Sequence, residues 1–321
     1  MRPPSREPAD PVSREVLHTM GELEGRVAVI TGAGRGIGRE HALLFAAEGA
    51  KVVVNDLGGD PHGTGSDTSP AQQVVNEIVA AGGEAVANYD DVSDWDGAKR
   101  LVDQAVEAFG NLHVLVNNAG ILRDRMLINM SPDEWDIIMK VHLRGHFCTT
   151  RWAATYWREQ SKEGRVDKRS VINTSSTSGL FGNVGQTNYG AAKMGIAAFS
   201  MIADSELSRY GVRVNAIAPA AATRLTAGLG PDRPEPSADE WSSMSPANIA
   251  PFVAYLATED CPIHGRTFLV AGGGIHLFQP FAVIDKVEKN GLWTVAELKM
   301  EAAHFADVPF HLNNPFEGQM G

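Results

Sequence analysis

The chain has 321 residues, of which 43% are hydrophobic, and a formal net charge of −11, values that are ordinary for a globular enzyme. The negative charge argues against a nucleic-acid partner and against binding to an anionic membrane surface. Two cysteines, Cys148 and Cys261, predict neither a disulfide framework nor a metal site, and no apolar segment is long enough to span a bilayer.

The first 22 residues are rich in proline and charge, and they lack the apolar stretch of a secretory signal. We therefore expect a mobile tail over 1–22. The chain ends in Gln-Met-Gly, which is not a peroxisomal address. Because a low cysteine content suits a reducing compartment, we expect a cytoplasmic protein.

From residue 23 onward, strand-like and helix-like patterns alternate. The apolar runs at 52–54 and 114–116 are typical of strands buried on both faces of a parallel sheet. We predict strands near 26–31, 51–56, 84–88, 112–117, 169–174, 212–217 and 266–270, and helices near 36–48, 70–82, 94–109, 131–160, 187–209 and 245–259. The alternation predicts an α/β fold, a Rossmann-type doubly wound parallel sheet of about seven strands with helices on both faces, forming one domain over 23–275.

A glycine-rich turn, Thr-Gly-Ala-Gly-Arg-Gly-Ile-Gly at 31–38, joins the first predicted strand to the first predicted helix. Gly32 permits a tight turn, Gly36 lets the backbone approach a pyrophosphate, and Gly38 lets the helix pack on the strand. The helix N-terminus then offers unpaired N–H groups and a positive dipole end to phosphate. The context favours a dinucleotide site over the alternative of a flexible surface loop.

Asp56 ends the second predicted strand, about twenty residues beyond the glycine turn. A carboxylate there accepts hydrogen bonds from the adenosine ribose hydroxyls and repels a 2′-phosphate. Arg35, within the glycine turn, has the chemistry to bind such a phosphate. Because phosphate against carboxylate is strongly unfavourable, we give Asp56 more weight and predict NAD rather than NADP. A turn aspartate before Gly58 is the alternative for Asp56.

Tyr189 and Lys193 are four residues apart and share one face of the helix predicted over 187–209. An ammonium beside a phenol favours the phenolate, so this pattern predicts a lowered tyrosine pKa and a tyrosine suited to general acid/base work. An ordinary half-buried tyrosine on an alanine-rich helix is the alternative, and the Tyr-x-x-x-Lys spacing taken alone favours that alternative, because the spacing often occurs by chance.

Together the motifs resemble the short-chain dehydrogenase/reductase family over residues 23–275. The resemblance is carried, in the family's order, by Thr31-Gly32-x-x-x-Gly36-x-Gly38, Asp91-Val92, Asn117-Asn118-Ala119-Gly120, Ser176, Tyr189-x-x-x-Lys193 and Ala218-Pro219. It implies that Tyr189 exchanges a proton with the substrate oxygen, that Ser176 positions this oxygen, and that Lys193 holds the nicotinamide ribose. It implies cofactor contacts from Gly32, Arg35, Gly36, Ile37, Gly38, Asp56, Asp91, Val92, Asn118, Ala119, Gly120, Tyr189, Lys193, Pro219 and Thr223.

Some of these positions have alternatives. Asp91 matches the family's adenine contact, with a helix N-cap as its alternative. Thr223 and Thr226 match residues that contact the carboxamide or diphosphate, although Pro219-Ala220 replaces the family's usual Pro-Gly. Residues 224–247 correspond to a substrate-covering lid, with a surface insertion as the alternative. The long irregular stretch 57–70 is either functional or disordered.

At the position where many family members have an asparagine, this sequence has His142. A buried, hydrogen-bonded histidine is the alternative reading for this residue.

The stretches 52–60, 118–125, 141–145 and 182–189 resemble one branch of the family, the (3R)-hydroxyacyl-CoA dehydrogenase domains of multifunctional enzymes type 2. This implies NAD-dependent oxidation of a (3R)-3-hydroxyacyl-CoA to the 3-oxoacyl-CoA by a free-standing enzyme. Candidates to meet CoA phosphates are Arg123, Arg125 and Arg144, with plain surface solvation as the alternative.

Other functions stay open at this point. The runner-up is a dehydrogenase for a 17β-hydroxysteroid or for a CoA-linked sterol side chain. A 3-oxoacyl-carrier-protein reductase is disfavoured by Asp56, since such enzymes use NADPH. The alternative from another class is a catalytically idle NAD-binding scaffold, against which the intact Ser176, Tyr189 and Lys193 argue.

Residues 276–321 lie outside the family core and form a C-terminal extension. Its aromatic residues have three open roles, which are packing on the same subunit, covering a partner's site or lining an acyl channel; they are Trp293, Phe305, Phe310 and Phe316. The family resemblance implies a homodimer or homotetramer associated through the helices predicted over 131–160 and 187–209.

Overall fold

The structure is a computed structural model that describes residues 21–60, 62, 64–223 and 241–308. Several predictions therefore fall outside the described residues: the tail up to residue 20, Thr226, residues 224–240 of the lid predicted over 224–247, Phe310 and Phe316. No helix in the described ranges is long and apolar enough to cross a membrane.

Within the described residues, eight strands form one sheet. They are β1 (Val27–Thr31), β2 (Lys51–Asn55), β3 (Glu84–Asn88), β4 (Val114–Asn117), β5 (Arg169–Thr174), β6 (Val212–Ala220), β7 (Thr267–Ala271) and β8 (Gly274–Leu277). Their spatial order is β3-β2-β1-β4-β5-β6-β7-β8, and every neighbouring pair is parallel except β7 and β8. The predicted doubly wound α/β sheet is confirmed.

The prediction of about seven parallel strands is one strand short, because it omits β8. This strand follows β7 through a turn at Gly272, where φ is +54°, and pairs antiparallel with β7. Its Ile275 and Leu277 are 53% and 62% exposed. The buried apolar pattern that marks the other strands in the sequence is therefore missing from β8.

The helices of the described ranges are α1 (Gly36–Ala47), α2 (Ser69–Ala80), α3 (Trp95–Phe109), α4 (Pro132–Ile138), α5 (Gly145–Lys162), α6 (Thr177–Leu180), α7 (Thr187–Leu207), α8 (Ala250–Ala257) and α9 (Val295–Glu301). The single helix predicted over 131–160 is interrupted by a π-helical segment, Met139–Arg144. The helices α6 and α9 have four and seven residues, too few to show a periodic pattern in the sequence.

Alternate side chains of the central strands enter two hydrophobic clusters, one on each face of the sheet. In β1, Ala28 and Ile30 pack on the side of α1, α2 and α8, whereas Val27 and Val29 pack on the side of α3 and α5. Coverage of both faces explains the continuous apolar runs. The chain reverses its winding direction between β1 and β4, and such a switch point opens a crevice at the carboxyl ends of the strands.

Candidate active site

A cavity of about 310 Å³ lies at the carboxyl ends of β1, β2 and β4. It brings together most of the predicted cofactor contacts, namely Gly32, Arg35, Gly36, Ile37, Asp56, Asp91, Val92, Asn118, Ala119, Gly120 and Thr223. The remaining predicted contacts, Gly38, Tyr189, Lys193 and Pro219, are not part of its lining. In the described ranges, no cluster of three or more His, Cys, Asp or Glu side chains is arranged to hold a metal ion.

The glycine turn is tied to the end of β4. Thr31 Oγ1 accepts hydrogen bonds from the amides of Asn118 and Ala119 at 2.9 and 3.0 Å, and Asn118 Nδ2 donates to the carbonyls of Thr31 and Gly32, each at 3.1 Å. Gly32 has φ of +61°, and a Cβ there would lie 2.7 Å from Ala119 Cα. Arg35, the N-cap residue of α1, supplies no capping side chain. The first-turn amides of α1 therefore remain suited to an anion.

Asp56 follows β2 and fastens the glycine turn through its carboxylate. Oδ2 accepts a hydrogen bond from the Gly34 amide at 2.8 Å, and Oδ1 accepts one from the Gly58 amide at 2.7 Å. The turn role considered for Asp56 is thus real, and the same residue also lines the cavity. Gly34 is a site residue that the sequence reasoning missed, although it lies within the glycine motif; a Cβ there would lie 2.8 Å from Asp56 Oδ2.

The long stretch after Asp56 closes on itself. The Asp67 amide donates to the Leu57 carbonyl at 3.1 Å, and Gly58, with φ of +77°, packs against the Asp67 backbone. This closure brings Asp67 Oδ2 to 4.0 Å from Arg35 Nη2, with both side chains about half exposed. The guanidinium considered for a 2′-phosphate therefore faces a carboxylate.

Asp91 and Val92 also line the cavity. Asp91 Oδ1 accepts hydrogen bonds from the amide and the hydroxyl of Ser93 at 2.8 and 2.6 Å. The alternative that Asp91 caps the following helix is wrong. The N-cap of α3 is Asp94, whose carboxylate accepts a hydrogen bond from the Gly97 amide.

The structure brings Ser176, Tyr189 and Lys193 together beside the cavity. Ser176 is the N-cap of α6, and its hydroxyl is hydrogen-bonded to Tyr189. Lys193 Nζ lies 5.4 Å from the centroid of the Tyr189 ring and donates to the Thr174 carbonyl at 2.7 Å. Tyr189 packs against the small cluster that contains Ile121, which itself lines the cavity.

The predicted lowering of the tyrosine pKa is wrong for this structure. Burial of the phenol raises the pKa of Tyr189 to about 12, and the hydrogen bond with Ser176 offsets only part of this effect. Burial lowers the pKa of Lys193 to about 7. Removal of both groups from water outweighs their mutual effect, because the ammonium is directed to the Thr174 carbonyl rather than to the phenol.

His142 is buried between the cavity wall and Tyr189. Its Nε2 lies 2.8 Å from the Ile121 carbonyl, and its ring meets the Tyr189 ring edge to face at 5.1 Å. Burial, followed by the charge of Lys193, holds its pKa well below the usual range. A Cβ on Gly120 would lie 2.5 Å from its Cε1. The alternative of a buried, hydrogen-bonded histidine holds for Nε2 only, because Nδ1 has no hydrogen-bond partner in the described part of the chain.

A second buried histidine, His146, lies one turn beyond His142 in α5 and is a further residue that the sequence reasoning missed. Its Nε2 accepts a hydrogen bond from the Thr174 amide at 3.3 Å. The available signal was its four-residue spacing from His142, which puts both rings on one side of a helix.

Two of the three arginines considered for CoA phosphates have partners within the chain. Arg125 forms an ion pair with Glu134 at 3.0 Å, and Arg144 Nε donates to the Ser93 carbonyl at 2.9 Å. A role for these residues and for Arg123 toward phosphate stays a prediction.

The C-terminal extension begins beside the site. Phe278 packs against Phe181, which directly follows α6, with ring centroids 5.2 Å apart. Further on, Trp293 lies beneath the Lys289 ammonium at 5.0 Å, and Phe305 is 42% exposed. The beginning of the extension therefore packs on its own subunit.

The chain matches the short chain dehydrogenase family over residues 26–234. It is 47% identical, over 80% of its length and 85% of the relative, to a short-chain type dehydrogenase/reductase of Mycobacterium tuberculosis. It is 43% identical to the hydroxyacyl-CoA dehydrogenase ChsB1 of the same organism, over 86% of this chain and 87% of the relative. It is 48% identical to the peroxisomal multifunctional enzyme type 2 of Drosophila melanogaster over 78% of its length, but spans only 39% of that protein.

Solved structures agree with these sequence relationships. A short chain dehydrogenase from Mycobacterium avium superposes with a TM-score of 0.81 at 48% identity, covering 91% of this chain and 98% of that chain. The full-length multifunctional enzyme from Drosophila melanogaster superposes with a TM-score of 0.67 at 34% identity, covering 92% of this chain and 48% of that chain. The resemblance found in the sequence motifs is confirmed.

Proposed function

This chain belongs to the short-chain dehydrogenase family, and from that membership we propose that it oxidises a (3R)-3-hydroxyacyl-CoA to the 3-oxoacyl-CoA with NAD as hydride acceptor. The observation that carries the proposal is the meeting of Ser176, Tyr189 and Lys193 beside a cavity lined by the glycine turn and Asp56. A catalytically idle NAD-binding scaffold would not require these three side chains, because it transfers no proton.

The cavity has the chemistry that a dinucleotide requires. The amides at the start of α1 suit the diphosphate, Asp56 suits the adenosine ribose, and Asp91 with Val92 suits the adenine. NAD, when bound, supplies the hydride acceptor. The pairing of Arg35 with Asp67 favours NAD over NADP, because a 2′-phosphate would find two carboxylates nearby and a guanidinium already partnered.

Tyr189 is the general acid/base in this proposal. With its pKa raised to about 12, the phenol is a proton donor at neutral pH, which suits reduction of a carbonyl. Oxidation of an alcohol requires the phenolate, and the Ser176 hydrogen bond favours that form. Ser176 and Tyr189 together offer two hydroxyls to the substrate oxygen, which orients the reacting carbon.

The substrate class rests on relatives that are named for hydroxyacyl-CoA and multifunctional enzyme activity. A 17β-hydroxysteroid or a CoA-linked sterol side chain is the alternative, because the same proton-transfer set serves any secondary alcohol. Acyl length and ring size depend on the walls of the substrate site, and residues 224–240 of the predicted lid lie outside the described residues.

The test is the initial rate of NADH formation by the purified protein. The substrates are a (3R)-hydroxyacyl-CoA, its 3S enantiomer and a 17β-hydroxysteroid, each with NAD and with NADP. We expect NAD-dependent turnover of the 3R thioester, reduced by about 10² to 10⁴ in Tyr189→Phe. Turnover of the steroid alone would move the proposal to its alternative, and absence of turnover with intact NADH binding would contradict both.

We also expect a homodimer or homotetramer in solution. The extension exposes several apolar side chains almost fully, including Phe281 at 90%, Val283 at 90% and Leu292 at 94%. Exposed apolar surface of this kind marks an association site. Light scattering should give a mass of two or four times 34.4 kDa. The cytoplasmic location stays a prediction from the sequence.

A further inference from the structure

The loop that follows β3 forms one wall of the cavity, and neighbouring elements fix its two ends. Asn55 Nδ2, at the end of β2, donates a hydrogen bond to the Asp90 carbonyl at 3.0 Å. At the other end, the Asp94 side chain caps α3. Between these points lie residues 91–93, the adenine loop, whose position depends on the contacts that it makes with the rest of the chain.

The side chains that the adenine loop presents to the cavity differ in chemistry. Val92 offers an apolar surface, which suits the face of a purine ring. The Asp91 carboxylate accepts hydrogen bonds, which suits the exocyclic amino group of adenine. Asp91 Oδ1 already accepts from the amide and the hydroxyl of Ser93 at 2.8 and 2.6 Å, so Oδ2 is the oxygen that remains for a ligand. Recognition of adenine therefore depends on where the loop holds Asp91.

The π-helical segment Met139–Arg144 contacts the adenine loop through its last residue. Arg144 Nε donates a hydrogen bond to the Ser93 carbonyl at 2.9 Å. Ser93 is 1% exposed, so water has little access to replace this donor. Segments of π-helix are rare and often lie at functional sites, and this one directs a guanidinium to the backbone of a cavity wall.

Two further contacts join the same parts of the molecule. Lys140 Nζ, within the π-helical segment, lies 3.8 Å from Asp91 Oδ2, and both side chains are partly exposed. Gly145 packs so closely on the loop that an added Cβ would lie 3.1 Å from Val92 Cγ2. An exposed ion pair contributes little to stability, and a van der Waals contact does not fix a direction. The hydrogen bond from Arg144 is therefore the contact that orients the loop.

We propose that Arg144 is a positioning residue for cofactor recognition: its hydrogen bond to Ser93 holds the adenine loop where Asp91 meets the amino group of adenine. This role rests on the proposed function, in which Asp91 and Val92 hold the adenine. Arg144 is not part of the cavity lining, so it acts through the loop. Without this donor, the Ser93 carbonyl turns to find another, and Asp91 moves with it because the two residues are hydrogen-bonded.

The test is a fluorescence titration of the purified full chain with NADH and with reduced nicotinamide hypoxanthine dinucleotide. Hypoxanthine has a carbonyl oxygen where adenine has its amino group, so it cannot donate a hydrogen bond to Asp91. The ratio of the two dissociation constants therefore reports on the Asp91 contact, and a general loss of stability does not change it. No acyl-CoA is present, so a contact between Arg144 and a CoA phosphate cannot affect the result.

Three variants isolate the hydrogen bond. Arg144→Met keeps an apolar side chain as long as the part of arginine that ends at Nε, but it removes the donor. Arg144→Gln removes the charge and keeps an N–H group at the same number of bonds from Cα as Nε. Arg158→Met is the matched control on α5, because it removes an arginine that forms a surface pair with Glu159.

We expect the wild type to bind NADH about tenfold more tightly than the hypoxanthine dinucleotide, because only adenine donates to the carboxylate. In Arg144→Met this preference should fall to about twofold or less, mainly through weaker binding of NADH. Arg144→Gln and Arg158→Met should keep the wild-type preference. Should Arg144→Met fail to fold, Arg144→Ala, which also lacks the donor, replaces it.

A folded Arg144→Met that keeps the wild-type preference overturns the proposal. The same loss of preference in Arg144→Gln also overturns it, because the charge rather than the hydrogen bond would then be responsible. A wild type that binds both dinucleotides equally contradicts only the positioning role. A wild type that binds neither contradicts the proposed function, in which the cavity holds NAD.

Discussion

Gly34 donates its amide hydrogen to Asp56 Oδ2 at 2.8 Å, so the glycine turn and the end of β2 are joined directly. A methyl group at residue 34 would lie 2.8 Å from that oxygen and 2.7 Å from Pro70 Cβ. We expect Gly34→Ala to weaken NADH binding about tenfold, because the turn must move away from Asp56. Fluorescence titration measures this. Gly273→Ala, where an added Cβ meets nothing within 4 Å, should bind NADH as the wild type does.

The ion pair between Arg35 and Asp67 predicts a change in cofactor preference. Asp67→Asn leaves the guanidinium without its carboxylate partner, so NADPH affinity should rise by about threefold while NADH affinity stays constant. The control is Asp103→Asn, which removes the same charge from a surface pair with Lys99 on α3. If both variants raise NADPH affinity equally, net charge rather than Arg35 explains the result.

The close approach of Gly120 and His142 predicts a selective loss of turnover. A Cβ on Gly120 would lie 2.5 Å from His142 Cε1, and this ring is 1% exposed and rests against Tyr189, so it cannot retreat. Gly120→Ala should lower kcat about tenfold, with a smaller loss of NADH affinity. The same change made in a His142→Ala background should cost little more, because the clash is gone. Additive losses in the double variant would contradict this explanation.

The buried His41 predicts acid sensitivity. It is 0% exposed, neither ring nitrogen has a hydrogen-bond partner among the described residues, and burial lowers its pKa from 6.5 to about 3. Between pH 6.5 and about 3, this histidine is protonated in the unfolded chain but stays neutral in the folded chain. The free energy of unfolding therefore falls as the pH falls below 6.5, by up to about 1.4 kcal/mol per pH unit for one group.

Replacing this histidine should remove that sensitivity. His41→Leu should be more stable than the wild type by about 1 kcal/mol at pH 7.5, because two unsatisfied buried nitrogens are lost. The difference should widen at pH 5. Urea unfolding at both pH values measures it, with the exposed His276→Leu as control. An equal pH dependence in wild type and His41→Leu would contradict the assignment.

The features that could be predicted from the sequence are those with local signals. The apolar runs mark the parallel strands because both faces of the sheet are covered, and the glycine turn marks the cofactor cavity because its spacing fits one backbone geometry. Asp56 follows from its position after β2. These signals need only a few consecutive residues to be read.

The features that the sequence does not reveal depend on distant parts of the chain. The contact of His146 with the Thr174 amide joins α5 to the end of β5, and these two residues are 28 positions apart in the chain. The sign of the Tyr189 pKa shift depends on how far burial removes the phenol and Lys193 from water. The strand β8 has exposed side chains, so its pairing with β7 leaves no hydrophobic pattern to read.

The π-helical segment Met139–Arg144 determines how far α5 is rotated about its own axis relative to α4. It holds more residues per turn than an α-helix, and each residue of an α-helix advances by about 100°. Deleting one residue from this segment and restoring regular α-helix would rotate α5 by about that angle and carry His146 away from Thr174. A sequence alignment that ignores this extra residue would compare the wrong faces of α5 from this point onward.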